Sequence, residues 1–233
     1  MFGSDTFFIP SDALTRDPTQ HGALGVAGRL VVQPAAFWCD FSPLEISAFC
    51  VQQGLYHVPT AEFCAWLRLL LGDATPLEIG AGNGVQAEYL GMRAVDNHMQ
   101  TWPDIKDLYR EMRQTPVPYG PNVEQVDALV AAKRYRPDVA VAAWLTHKYD
   151  AKRPAAGGNM YGVDENKLLK LVKTYVHIGH SRVHALKLIR ERPHRIYTPP
   201  GMVCRALTPG EPQVWVWGEK LPGELRDFFP KGK

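Results

Sequence analysis

The spacing of apolar positions changes as this chain proceeds. Phe63, Trp66, Leu67, Leu70 and Leu71 recur every three or four residues, the repeat that lines one face of an α-helix. Thr60 stands where an N-cap belongs and Gly72 where a helix ends, so the pattern predicts a helix over 60–71. Short apolar runs then alternate with helical stretches. Strands are predicted at 76–79, 92–96, 122–126, 138–144, 174–178 and 213–217, and helices at 85–90, 103–112, 128–135 and 163–173. The run at 138–144 is apolar at almost every position, as in a strand buried on both faces. Such alternation predicts an α/β fold: a doubly wound, mostly parallel sheet of the seven-stranded type with helices on both faces. Ligands of such sheets sit at the carboxyl ends of the strands, where the strand order reverses.

Residues 1–58 lack this regularity. A short helix is predicted at 44–51, with Ser42 as cap and Pro43 in its first turn. The remainder reads as an irregular N-terminal extension that packs on, or covers the site of, a main domain over 59–233. Composition adds little: of 233 residues, 45% are hydrophobic and 21% charged, with a formal net charge of +2. That is ordinary for a globular chain and neither demands nor excludes a nucleic-acid or protein partner. The basic stretch Lys187, Arg190, Arg192, His194, Arg195 reads as a solvated surface. Cys39, Cys50, Cys64 and Cys204 form no CxxC pair, so reduced thiols are expected and no metal site. The first residues show no leader pattern, and no apolar run approaches a bilayer span. A cytoplasmic protein without membrane contact is expected.

The segment Glu78-Ile79-Gly80-Ala81-Gly82-Asn83-Gly84 carries the chemistry. Glycines between a strand and a helix let backbone approach a ligand where a Cβ would intervene. The spacing is not the G-x-G-x-x-G of dinucleotide sites, and no Gly-Lys-Ser/Thr of a P-loop follows. The form E-x-G-x-G-x-G resembles motif I of class I, Rossmann-like S-adenosylmethionine-dependent methyltransferases, and the resemblance extends over about residues 59–180. It implies S-adenosylmethionine as cofactor, with Gly80, Ala81, Gly82 and Gly84 as the floor of its site. Glu78 would hold the methionine part, Asp96 the ribose hydroxyls and Asp127 the adenine amino group. Ala128 would lie near the adenine ring, and Trp144 would border the cofactor. Simpler roles stand beside these: a tight turn for the glycines, a local pair for Glu78, helix caps for Asp96 and Asp127. The short separation of Asp96 from the glycines requires a short intervening helix. Where amino-group methyltransferases carry Asp/Asn-Pro-Pro-Tyr, this chain has Trp144-Leu145-Thr146-His147, which leaves the methyl acceptor open.

His147 follows the buried strand directly. With a pKa near neutrality it is a candidate general base, oriented by Asp150. Alternatively both are polar residues fastening the strand end. The glycine- and aromatic-containing loop 152–162 reads as a mobile lid or a plain connection. His177 and His180 are expected on opposite faces of their strand, His180 toward the pocket. Two functions follow: methyl transfer to an unidentified acceptor, or a non-catalytic methyltransferase-like module binding a protein or nucleic acid.

Overall fold

Leu77 and Ile79 alternate with Glu78 along one strand, and that alternation divides the core in two. Residues 15–225 are described in the computed structural model of this chain. The N-terminal residues read above for a leader, and residues 226–233, lie outside the described part. The helices are α1 (Ala35–Cys39), α2 (Pro43–Gln52), α3 (Ala61–Leu71), α4 (Val85–Leu90), α5 (Pro103–Glu111), α6 (Ala128–Tyr135) and α7 (Glu165–Leu168). The strands are β1 (His57–Val58), β2 (Pro76–Ile79), β3 (Arg93–Asp96), β4 (Val123–Gln125), β5 (Val139–Ala143), β6 (Thr174–His180), β7 (Arg195–Tyr197), β8 (Val203–Cys204) and β9 (Pro212–Gly218).

Seven strands form one sheet in the order β4-β3-β2-β5-β6-β9-β7, while β1 and β8 pair separately. Neighbours from β4 to β6 run parallel, and β9 runs antiparallel to both β6 and β7. The strand order reverses between β2 and β5. On one face Val139, Val141, Val176 and Ile178 meet Phe63, Leu67 and Leu70 of α3 and Ala87 of α4. On the other, Leu77, Ile79, Ala140 and Ala142 meet Ala128, Ala131 and Ala132 of α6 and Leu168 of α7. The expected doubly wound α/β fold is therefore the observed one.

The local signals act as the sequence suggests. Ser42 and Glu45 form a reciprocal capping box at α2, and Thr60 accepts from the Phe63 amide at α3. Several expectations need correction. The helix expected over 163–173 is only α7, because the chain must turn by Lys173: the amides of Lys173 and Thr174 both donate to the Asp138 carbonyl, at 3.0 and 3.1 Å. That contact is long-range and invisible to periodicity. β6 runs on to His180, and β7, β8, β1 and α1 were not expected.

The N-terminal segment is less irregular than its sequence suggests. Trp38, Phe41, Phe49, Leu55 and Val58 form a third buried cluster that reaches Val85 of α4. The basic stretch, expected as a solvated surface, is so only in part: Arg192 is exposed, Arg190, His194 and Arg195 are half-buried, and Lys187 is buried. Lys187 is buried against Glu165, the Arg190 guanidinium lies over Trp215, Arg192 bonds Asn166 and Arg195 pairs with Glu224. The segment crosses the sheet end onto Trp215, so each of these cations meets a partner from a distant part of the chain. Among the described residues no helix is long and apolar enough to cross a membrane.

Candidate functional site

The reversal point between β2 and β5 opens into a cavity of about 750 Å³, within the usual range for small-molecule sites. Its floor is the loop after β2. Gly80 and Gly82 adopt left-handed φ values of 60° and 56°, which side chains with a Cβ adopt only under strain. The Ala81 amide donates to the Val95 carbonyl at 3.1 Å and the Gly82 amide to Asp96 Oδ2 at 3.1 Å, fastening the loop to β3. A Cβ on Gly80 would fall 2.4 Å from Leu145 Cδ1 and would push that side chain aside.

Glu78 lies beneath this loop and is 2% exposed. Its Oε1 accepts from Gln86 Nε2 at 2.7 Å, while the shielded Oε2 has no partner. Burial pushes the Glu78 carboxyl up to about 8. Asp96 Oδ1 accepts from the His98 amide at 2.9 Å, and burial raises this carboxyl too. Asp127 caps α6 through Oδ1 alone, accepting from the amides of Leu129 and Val130, and it also lines the cavity. The cap and the ligand-facing role are therefore compatible. Ala128 and Trp144 line the cavity as well.

The structure brings together Glu78, Gly80, Ala81, Gly82, Asp96, Asp127, Ala128 and Trp144, but not the rest of the expected set. Gly84 caps α4 with φ 69°, and a Cβ there would meet Val123 and Asn122 rather than the cavity. His147 and Asp150 are not in the lining. His147 is 9% exposed and its Nε2 is shielded without a partner. Burial, then Lys187, lowers its pKa, and its electrostatic neighbours are Lys187, Glu165 and His177. The cause is local. Trp144 takes a left-handed φ of 54° on leaving β5, and His147 is then held in a parallel bridge to Val163. Simple continuation of the strand would have aimed His147 differently. The side chain of Asp150 accepts from the Lys152 amide at 2.9 Å in a local turn. Among the described residues no hydrogen bond joins Asp150 to His147, and the His147 ring lies behind Gly158, which lines the cavity.

Close to His147 lies a buried network around Glu165. Glu165 Oε1 accepts from Lys187 Nζ at 2.9 Å and from the Tyr175 hydroxyl at 2.7 Å. Lys187 Nζ also donates to the Leu145 carbonyl at 2.7 Å. His177 and His184 stand with ring centroids 4.9 Å apart. His180, expected to line the pocket, is instead buried against Gly210 and Ser181. Among the described residues no group of His, Cys, Asp and Glu is placed to hold a metal ion.

Residues 158–163 of the loop after β5 do line the cavity. Sequence reasoning missed Gln86, His57, Tyr56, Tyr109, Tyr119 and Arg205, all in the lining. Gln86 had a signal, being a polar residue buried in the first turn of α4 directly after the glycine loop; Tyr109 lies on the predicted helix α5, and the others come from segments with no periodicity to place them. Burial holds the His57 imidazole down at about 4, so it is neutral at pH 7.

The raised Glu78 pKa carries a sign. Between pH 4.5 and about 8 the unfolded chain ionises Glu78 while the folded chain keeps it protonated. Its contribution to stability is full below the unfolded value and is lost as pH rises toward 8. Glu78→Gln lacks this loss. Thermal unfolding should therefore show the variant gaining on wild type from pH 5 to pH 8; a constant difference would place the Glu78 pKa near its ordinary value.

The chain matches no protein-family sequence model and no curated protein. Among solved structures it is similar to a SAM-dependent methyltransferase from Agrobacterium tumefaciens, at 11% identity and TM-score 0.33, covering 66% of this chain and 60% of that one. It is similar also to an rRNA methylase from Streptococcus thermophilus, at 14% identity and TM-score 0.34, covering 68% of this chain and 94% of that one. The chain thus spans under two thirds of the first and nearly all of the second. The strand order, with its reversal between β2 and β5, shows an α/β protein with a doubly wound, Rossmann-like sheet.

Proposed function

We propose that the chain binds S-adenosylmethionine in this cavity and transfers its methyl group to an acceptor. The observation that carries the reading is Glu78 Oε2: a shielded carboxyl oxygen without a hydrogen-bond partner, in the lining beside the glycine loop, where a cationic ligand group would favour the ionised form. Such an atom is costly unless a ligand donor meets it, and the amino group of the methionine part is such a donor. The cofactor supplies a methyl group already activated on a sulfonium. The chain's own residues bind and align. Asp96, fixed by two backbone amides, keeps lone pairs for a vicinal diol, and Asp127 keeps Oδ2 for an exocyclic amine.

The cavity continues past Trp144 to Tyr56, Tyr109 and Arg205, which leaves room for an acceptor and favours catalysis over a non-catalytic binding module. In this reading the segment before residue 59 is an extension walling the site through Gly54, Leu55, Tyr56 and His57, and the protein acts in the cytoplasm.

Calorimetry with S-adenosylhomocysteine and with NAD tests the proposal. The former should bind and the latter should not. Asp96→Ala should weaken S-adenosylhomocysteine by ~1.5–3 kcal/mol per charge-assisted bond lost, roughly 10- to 150-fold. Unchanged affinity in a folded variant would remove Asp96 from the site.

A further inference from the structure

The two halves of the cavity differ in origin and in charge. Glu78, Asp96 and Asp127 all belong to the half built on the ends of β2 and β3 and the start of α6. The other half comes from outside the parallel strands: Tyr56 before β1, the α5 face and Arg205 after β8. Ile105, Leu108, Tyr109 and Met112 follow helical spacing and all line the cavity, while no residue of α5 is fully buried. The apolar face of this helix is thus turned to a cavity rather than to packed core, which is the arrangement of a ligand wall.

Aromatic rings and one cation furnish this half. The Tyr56 and Trp144 rings stand 6.0 Å apart between centroids, and the Tyr56 hydroxyl is held 2.7 Å from that of Tyr109. The Arg205 guanidinium lies over the Tyr56 ring, 3.9 Å from its centroid. Among the described residues no carboxylate pairs with it, although Arg16, Arg29, Arg93, Arg110, Arg134, Arg153 and Arg195 all have such partners or carbonyl contacts. Trp144 Nε1 is shielded with no hydrogen-bond partner. A guanidinium lying over a ring keeps edge N–H donors for a planar, two-oxygen acceptor.

We propose that this half is the acceptor subsite and takes a planar molecule bearing an anionic group, a carboxylate or a phosphate, with the anion on Arg205 and the plane against Tyr56 and Trp144. The assignment rests on the other half being the cofactor site. Charge supports the orientation: Arg205 is the Lys or Arg side chain in the lining, and it draws an anion to this half of the cavity.

The test titrates the protein saturated with S-adenosylhomocysteine with benzoate and with uridine 5′-monophosphate, each against its uncharged counterpart, benzamide or uridine. Calorimetry and Trp fluorescence read binding. One of the two anions should bind at least ~10-fold more tightly than its counterpart, the size of one charge-assisted bond, and which one does so separates carboxylate from phosphate. Arg205→Gln should erase that preference while S-adenosylhomocysteine affinity stays within about twofold. Arg205→Lys, a second variant should the first not fold, keeps the charge but not the fork and should retain only part of the preference.

No preference for either anion in wild type, or a preference that survives Arg205→Gln in a folded protein, overturns the subsite. Failure of S-adenosylhomocysteine to bind overturns the cofactor reading instead. The same anion comparison on the protein alone then decides whether Arg205 holds an anion.

Discussion

Protein carrying Gly82→Val should unfold within a few degrees of wild type and yet bind no measurable S-adenosylhomocysteine. Gly82 has φ +56°, and an added Cβ would come 3.1 Å from Val117 Cγ1. Holding a β-branched residue in the left-handed region costs about 1–2 kcal/mol, which a chain of this size tolerates. Binding suffers far more, because the Gly82 amide is the group that fixes Asp96 Oδ2. The extra methyls also stand where backbone must meet the ligand. A loss of ~100-fold or more is expected, with Gly82→Ala between the two. The pair of measurements, calorimetric affinity and thermal unfolding, separates the outcomes. Wild-type affinity in folded Gly82→Val would reduce the loop to a turn.

The second large effect concerns stability. Lys187 and Glu165 form an ion pair whose side chains are each 3% exposed. Removing one partner of such a pair leaves a buried charge uncompensated and costs ~3–5 kcal/mol, so Lys187→Met should lower the unfolding midpoint by roughly 10 °C. The double variant Lys187→Met/Glu165→Gln should recover part of that loss, since it removes the stranded charge. Lys187 Nζ also holds the Leu145 carbonyl, and Leu145 packs where a Cβ of Gly80 would sit. The single variant should therefore loosen the cofactor floor as well, visible as weaker S-adenosylhomocysteine binding. A stability change under about 1 kcal/mol would mean that water reaches the pair.

These two variants mark the boundary of what sequence reasoning reaches. The glycine loop is local chemistry. Three glycines between a predicted strand and a predicted helix permit positive φ and close approach of backbone to a ligand, so Gly80, Gly82 and the acid Glu78 were legible in the sequence. Asp96 was legible for a related reason, since it ends the apolar strand β3, and Asp127 because it stands as cap before a predicted helix. The Lys187–Glu165 pair was not legible, because the two residues are brought together only when α7 and the segment after β6 pack under one edge of the sheet.

His147 shows the same limit in the opposite direction. Its place after β5 suggested a residue presented to the cavity, and a periodicity argument assumes that the strand geometry continues. The left-handed Trp144 breaks that continuity, and the imidazole lies near His177, Lys187 and Glu165.

The sequence by itself determined the alternation of β2, α4, β3, α5, β4, α6 and β5, because hydrophobic period and capping residues act over a few neighbours. It determined the glycine loop for the same reason. Tertiary structure alone decided the length of α7, cut short by the Asp138 contact with Lys173 and Thr174. It also decided the burial of Lys187, the partners of Arg190, Arg192 and Arg195, and the far wall of the cavity. Tyr56 and Arg205 lie in segments without a periodic signal, and the pattern that predicts α5 does not tell what its Tyr109 face meets. They meet because β1 pairs with β8 in register, His57 opposite Cys204, and strand pairing over such a separation leaves no mark on the local pattern of either segment.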